Sequence, residues 1–166
     1  LKVGDPRDAD TDIGPLINIQ EAERVEAWVQ DALAAGATLL YGGGRRGTIF
    51  EPTVLGQTTQ EMRVNCEEAF APVVTLRPYQ TWDDAIAIIN DSPYGLQAGV
   101  FTRDIKRIMD AWERIDVGGL HINSASTFRV DHMPYGGIKA SGIGREGVKY
   151  AIEDMTEIRL MVLNLN

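Results

Sequence analysis

Along most of this chain the apolar residues switch repeatedly between a helical period and short strand-like runs. That switching restricts the fold more than any other feature. Val25, Trp28, Val29, Ala32 and Leu33 fall on one face at helical spacing. Asn18 is placed to cap that helix and Glu21 to reach back, as a capping box. Gly36 fits a left-handed stop. TLLYGGGRRGTIFEPTVL then sets two apolar runs around a glycine-rich turn, which predicts strand, loop, strand. VVTLRPY reads as a further strand. Thr81 and Asp84 open a second helix that runs through Ile89, and AGVFT follows as a strand. A third helix carries Ile105, Ile108, Met109, Trp112 and Ile115 as one apolar stripe, and Gly118 and Gly119 end it before the strand LHIN. EGVKYAIEDM reads as a short helix and EIRLMVLN as a last strand. Strands alternating with helices across short loops predict an α/β fold, three layers α/β/α with a largely parallel sheet. The last strand has little beyond it to pair with, so it is either an edge or a partner for another chain.

The bulk properties bound the function. A chain of 166 residues with 44% apolar and 24% charged content is globular and can bury a core. A net charge of −8 argues against nucleic acid and anionic membranes as partners. No apolar run approaches the roughly 20 residues of a membrane span. A single cysteine makes no internal disulfide, so a cytoplasmic protein is expected. A chain beginning at Leu1 suggests a fragment or a processed protein.

Residues 142–147, GIGREG, fit G-x-G-x-x-G letter for letter. A dinucleotide fingerprint needs a strand before it and an acid about 20 residues after it. MPYGGIKAS does not read as a strand, and the count past Gly147 runs beyond Asn166. Gly136, Gly137, Gly142, Gly144 and Gly147 are better read as a tight loop crossing under other backbone. Reactive side chains are few. His121 lies within an apolar run and reads as a satisfied core histidine; His132 has no partner at metal-ligand spacing. Cys66 sits beside Glu67 and Glu68, whose charges oppose a thiolate, so it reads as a passive thiol. Glu67 and Glu68 are either a surface pair or an acid at a strand entrance, able to accept two hydroxyls as a ribose requires.

At this stretch a family resemblance becomes visible. CEEAFAPV resembles the E-E-x-F-G-P-V element of the aldehyde dehydrogenase superfamily. LKVGDPRDADTDIGPLIN resembles its V-G-x-P-x-x-x-x-T-x-x-G-P-x-I segment, and FEPTVL resembles the strand that ends before E-E-x-F. NDSPYGLQAGVFTRD resembles N-x-x-x-Y-G-L-x-x-x-V-F-T-x-D. GGLHIN and MPYGGIKASGIGREG resemble G-x-x-x-I-N and P-F-G-G-x-K-x-S-G-x-G-R-E. The motifs occur in order across nearly the whole chain. The resemblance implies the C-terminal part of the family's catalytic domain at 1–155, and an oligomerisation strand at 156–166 that joins an inter-subunit sheet in a homo-oligomer. It makes GIGREG part of a loop near the active-site floor and the subunit interface, not a pyrophosphate site.

The resemblance further implies cofactor contacts from Glu68, to the hydroxyls of the nicotinamide ribose of NAD or NADP, and from Phe70, to the nicotinamide side. Ala71 stands where the family commonly has glycine. The family's chemistry runs through a cysteine nucleophile, a thiohemiacetal and a thioester, with a glutamate-activated water. No residue here matches the nucleophile or that glutamate, and both are expected upstream of Leu1. The chain alone is therefore expected to be inactive. Ser126, Phe128 and Tyr135 fall where the family's substrate entrance lies. Arg129 either anchors a small hydroxylated or anionic aldehyde, such as lactaldehyde or a phosphorylated or sulfonated three-carbon aldehyde, or pairs with Asp131 or faces solvent. Lys139, Arg145 and Glu146 match family positions and read as organisers of the loop and interface. Three other readings stay open: an acyl-phosphate or acyl-CoA reductase of the same superfamily, a stand-alone interaction module, and a thiol enzyme using Cys66.

Overall fold

The first helix, α1 (Ile19–Ala34), starts where the Asn18 side chain accepts the Glu21 amide at 2.8 Å. Glu21 does not complete a capping box. Its carboxylate instead accepts from Arg24, one turn along, at 2.8 Å. Gly36, at φ +103, provides the left-handed stop. Val25, Val29 and Ala32 are buried along the inner face of α1. They pack with Phe50, Leu55 and Met62, and burying side chains of this size contributes about 1.5–3 kcal/mol each.

All 166 residues are described by the computed structural model, and they divide into two units, Leu1–Gln80 and Thr81–Asn166. In the first unit α1 leads into β1 (Thr38–Tyr41), then the hairpin β2 (Arg45–Arg46) and β3 (Ile49–Phe50), then β4 (Thr53–Gly56). A one-turn helix, α2 (Arg63–Cys66), precedes β5 (Val73–Leu76). The sheet runs β1-β4-β5, antiparallel between β1 and β4 and parallel between β4 and β5, with Thr53 opposite Val73. The register slips between Leu39 and Tyr41, just before Gly42 turns the chain at φ +72. A methyl group on Gly42 would overlap the Pro52 carbonyl oxygen, so only glycine fits that turn.

The second unit opens with α3 (Trp82–Asn90). Its start is a full capping box: Thr81 accepts the Asp84 amide at 3.1 Å and Asp84 accepts the Thr81 amide at 2.9 Å. After β6 (Tyr94–Gly95) come β7 (Gln97–Val100), α4 (Ile105–Arg114) and β8 (Gly119–Ile122). β7 and β8 are parallel with α4 as their crossover, a βαβ unit. β9 (Ile138–Lys139) pairs antiparallel with β6, and α5 (Val148–Met155) follows. The core here is Ile86, Val100, Ala111 and Ile115. The α/β class is as expected, with parallel pairs in both units; the hairpins and edges add antiparallel pairs.

Three local expectations differ. Of the α4 stripe only Ile115 is buried and Ile108 half-buried, whereas Ile105, Met109 and Trp112 are exposed, and the helix buries Ala111 instead. Helical spacing identifies an apolar face but not what covers it. α4 also stops at Arg114, with Ile115 already extended, ahead of the glycines. EIRLMVLN forms no strand ladder within the chain: residues 156–166 carry no regular structure, and Ile158, Leu160 and Val162 are exposed. No helix is long and apolar enough to cross a membrane.

Candidate functional site

In the first unit the E-E-x-F element forms the loop between α2 and β5. Its entrance is held by the Glu67 amide, which donates to the Arg63 carbonyl at 3.0 Å. Its exit is held by the Pro72 carbonyl, which accepts the Thr53 amide at 2.8 Å, where β4 and β5 begin to pair. Between these points Glu68 is exposed, and Phe70 is 83% exposed with φ +48. A bulky residue rarely adopts that left-handed conformation, and the strain persists only where neighbours impose it. Arg24 reaches the loop from α1: Nη2 donates to the Ala69 carbonyl at 2.9 Å. Its guanidinium lies 4.3 Å above the centre of the buried Trp28 ring, and Arg63 lies over the same ring at 5.4 Å while pairing with Asp31. Ala71, the departure from the family's glycine, packs against the core of the unit, a contact glycine does not make. Cys66 ends α2, half-buried, its thiol 3.7 Å from the Glu61 carbonyl oxygen.

In the second unit β8 delivers the chain to Asn123, at φ +54. The Asn123 amide pairs both ways with the backbone of Thr102, accepting at 2.9 Å and donating at 3.0 Å. The following loop carries Ser126, Phe128 and Arg129, all exposed. Arg129 and Tyr135 come together: the guanidinium lies 4.4 Å over the Tyr135 ring. Its ionic partner is Glu146 at 2.8 Å, not Asp131. The reason is backbone pairing, since Tyr135 and Glu146 exchange two main-chain hydrogen bonds of 3.1 and 2.6 Å that bring Glu146 beside the ring. Phe128 stands apart from this pair, its ring steeply inclined to that of His121 with ring centres 6.2 Å apart. Ser126 joins neither group.

His121 is not the satisfied core histidine expected. It is half-buried, and its buried Nε2 has no hydrogen-bond partner. Its strand neighbour on the same face is Gly119, which has no side chain to offer, and the Phe128 ring near it carries no polar atom.

GIGREG behaves as a crossing loop. Arg145 donates to the carbonyls of Gly137 at 3.0 Å and Gly144 at 2.7 Å. Gly142, Gly144 and Gly147 all have positive φ, and a side chain on Gly118 would overlap the Gly136 carbonyl oxygen. A strand does precede the motif, contrary to the sequence reading, but it is the two-residue β9, antiparallel to its neighbour. Lys139, at φ +55, donates to the carbonyls of Asn90 and Ser92 at 3.1 and 3.3 Å. Lys139, Arg145 and Glu146 thus brace the loop. No group of three His, Cys, Asp or Glu side chains is placed to hold a metal ion. Arg24 was missed from sequence. Its bond to Ala69 spans 45 residues, and the one local signal was an arginine one turn before Trp28.

Residues 1–161 match the aldehyde dehydrogenase family, and the chain belongs to that family. It is 53% identical over 165 residues to the 3-sulfolactaldehyde dehydrogenase of Priestia aryabhattai, covering 99% of this chain and 35% of that protein. It is 43% identical to the lactaldehyde dehydrogenase of Methanococcus aeolicus, covering 99% of this chain and 35% of that protein. A crystal structure of glyceraldehyde-3-phosphate dehydrogenase from Methanocaldococcus jannaschii complexed with NADP superposes with a TM-score of 0.91 at 43% identity, covering 96% of this chain and 34% of that one. The chain thus spans about a third of the length of the relatives it matches.

Proposed function

We propose that this chain supplies the nicotinamide-side cofactor contacts and the substrate-entrance loop of an NAD- or NADP-dependent aldehyde dehydrogenase. One observation carries the reading: the turn at Glu68 and Phe70 presents a carboxylate and an aromatic ring to solvent two residues apart. Glu68 enters no ion pair with this chain's cations, so both oxygens are available as acceptors, a donor set that suits the two hydroxyls of a ribose. Phe70 offers a flat face against which a nicotinamide packs. When bound, the dinucleotide supplies the hydride acceptor; the residues here hold and orient its reactive end.

The substrate class we favour is a small three-carbon aldehyde with a 2-hydroxyl or an anionic end. The names of the similar proteins support it, since sulfolactaldehyde, lactaldehyde and glyceraldehyde 3-phosphate share that skeleton. Arg129 is the cation we assign to the anionic end, with Glu146 as the carboxylate it leaves or shares. Residues 156–166, whose six apolar side chains from Ile158 to Leu165 are exposed, are proposed to pair with another copy in a homo-oligomer. These 166 residues by themselves are proposed not to oxidise aldehydes, because the one cysteine ends α2 with its thiol against the Glu61 carbonyl oxygen and with Glu67 and Glu68, whose charges oppose a thiolate, next in the chain. The test is the full-length protein carrying this chain, assayed with sulfolactaldehyde, lactaldehyde and glyceraldehyde 3-phosphate. Reduced nicotinamide should form with at least one of them. A rate from the 166-residue chain alone, abolished by Cys66→Ser, would contradict the reading.

A further inference from the structure

We infer that Arg24 is a positioning residue for the cofactor loop, fixing the backbone from which Phe70 and Glu68 project. This rests on the proposed function for its cofactor, and on geometry alone for its structural part.

The Ala69 carbonyl and the Phe70 amide belong to one planar peptide unit. The angle that unit makes with the rest of Phe70 is φ of Phe70. A hydrogen bond that fixes the carbonyl therefore fixes one side of that angle; the other side is held where the Ala71 carbonyl accepts the Val73 amide at 2.7 Å and the Pro72 carbonyl accepts the Thr53 amide at 2.8 Å, so together they set φ. Arg24 makes the first of these bonds at 2.9 Å, and Phe70 is held at φ +48. Without an external hold, an exposed aromatic residue relaxes out of the left-handed region. The 83% exposure of Phe70 means that packing of its own ring does not provide the hold.

Arg24 is itself restrained before it reaches the loop. Its Nε and Nη2 meet Glu21 Oε2 at 2.8 and 2.7 Å, and its face rests 4.3 Å from the centre of the buried Trp28 ring. A planar guanidinium fixed by stacking and by a carboxylate loses little further freedom in donating once more. Lysine supplies one charge and no planar fork. It therefore does not stack on Trp28, pair with Glu21 and hold Ala69 together. The second arginine on Trp28, Arg63, comes from α2 itself and pairs with Asp31 of α1. α1 thus grips the segment at its start through Arg63 and at its strained residue through Arg24.

The test uses the full-length protein carrying this chain, with Arg24→Met, which keeps an apolar stem on Trp28 but no donor, and Arg24→Lys. KM for NAD or NADP should rise about tenfold in Arg24→Met and by less in Arg24→Lys, while KM for the aldehyde stays within about twofold. A general loss of fold would lower kcat and the melting temperature together without singling out the dinucleotide KM. A crystal structure of Arg24→Met should show Phe70 at negative φ. Phe70 remaining at positive φ, or a dinucleotide KM unchanged in Arg24→Met, overturns the inference. If Arg24→Met does not fold, a wild-type dinucleotide KM in Arg24→Lys overturns it and a raised one supports it. If the wild-type protein oxidises no aldehyde, the proposed function fails, and the φ of Phe70 alone still decides on Arg24.

Discussion

In the first unit, the loop at residues 67–71 contains no glycine, and its strained residue, Phe70, is held from outside by a side chain on α1. In the second unit, the segment from Asn123 to Gly147 is shaped by many backbone contacts, inside the segment and with Asn90, Ser92, Thr102 and Gly118. Glycines let backbone pass against backbone, Tyr135 and Glu146 pair through their main chains, and Arg145 and Lys139 cap carbonyls. The first arrangement exposes an aromatic ring and a carboxylate on a fixed but unburied platform. The second places its arginine in an ion pair against a ring. A strained residue held by one side chain is tuned by single substitutions at that side chain. A loop built from backbone contacts fails as a whole when one contact is blocked.

That contrast is open to attack. Gly118→Ala should do the most damage, because the added methyl meets the Gly136 carbonyl oxygen and the neighbouring Gly137 backbone, neither of which is a flexible side chain. We expect a loss of about 3 kcal/mol or more, read by denaturant unfolding. A Gly118→Ala protein of wild-type stability would mean the second loop is as adjustable as the first. Arg129→Ala comes next. It should raise KM for anionic aldehydes about tenfold and leave neutral aldehydes within about twofold. Equal effects on both would return Arg129 to a purely structural pairing with Glu146.

Phe70→Gly sharpens the other side. Little apolar surface is lost, since the ring is exposed, and glycine tolerates the positive φ. Stability should stay within about 1 kcal/mol of wild type in thermal unfolding, while dinucleotide KM rises. A large loss of stability would show that the ring itself holds the loop. The smallest effect lies outside both loops. The Arg7 guanidinium beside Asp5 holds that carboxyl below the ordinary carboxylate range. A depressed folded-state value means the pairing stabilises above the unfolded value, and that contribution is lost as pH falls through the folded one. Arg7→Ala should therefore differ slightly from wild type at neutral pH and converge with it as pH drops from roughly 4 downward.

These loops also show what a sequence discloses. The Thr81–Asp84 capping box and the Gly36 stop were legible because they are local: the partners lie within one turn, and few residues satisfy the geometry. The stripe of α1 was legible because Val25, Val29, Ala32 and Leu33 meet one core, whereas the same spacing in α4 predicted burial for Ile105, Met109 and Trp112, which are exposed. Glu21 suited a capping box equally well but found Arg24 instead, and that choice sets up the cluster on Trp28. Glu68 and Phe70 were picked out by a family motif, yet nothing in the motif announced the positive φ of Phe70 or its tether. Both depend on where α1 lies against the loop. The Arg129 partner was misplaced for the same reason: Asp131 is near in sequence, while Glu146 is brought near by a backbone pair.

The most direct test of the central claim is dinucleotide KM in full-length Glu68→Gln. The substitution keeps size and exposure and removes the charge from an acceptor proposed to meet two hydroxyls. The account predicts a rise of about tenfold or more for NAD or NADP, with aldehyde KM within about twofold. An unchanged dinucleotide KM, with the enzyme otherwise active, would contradict the assignment of this loop to the cofactor.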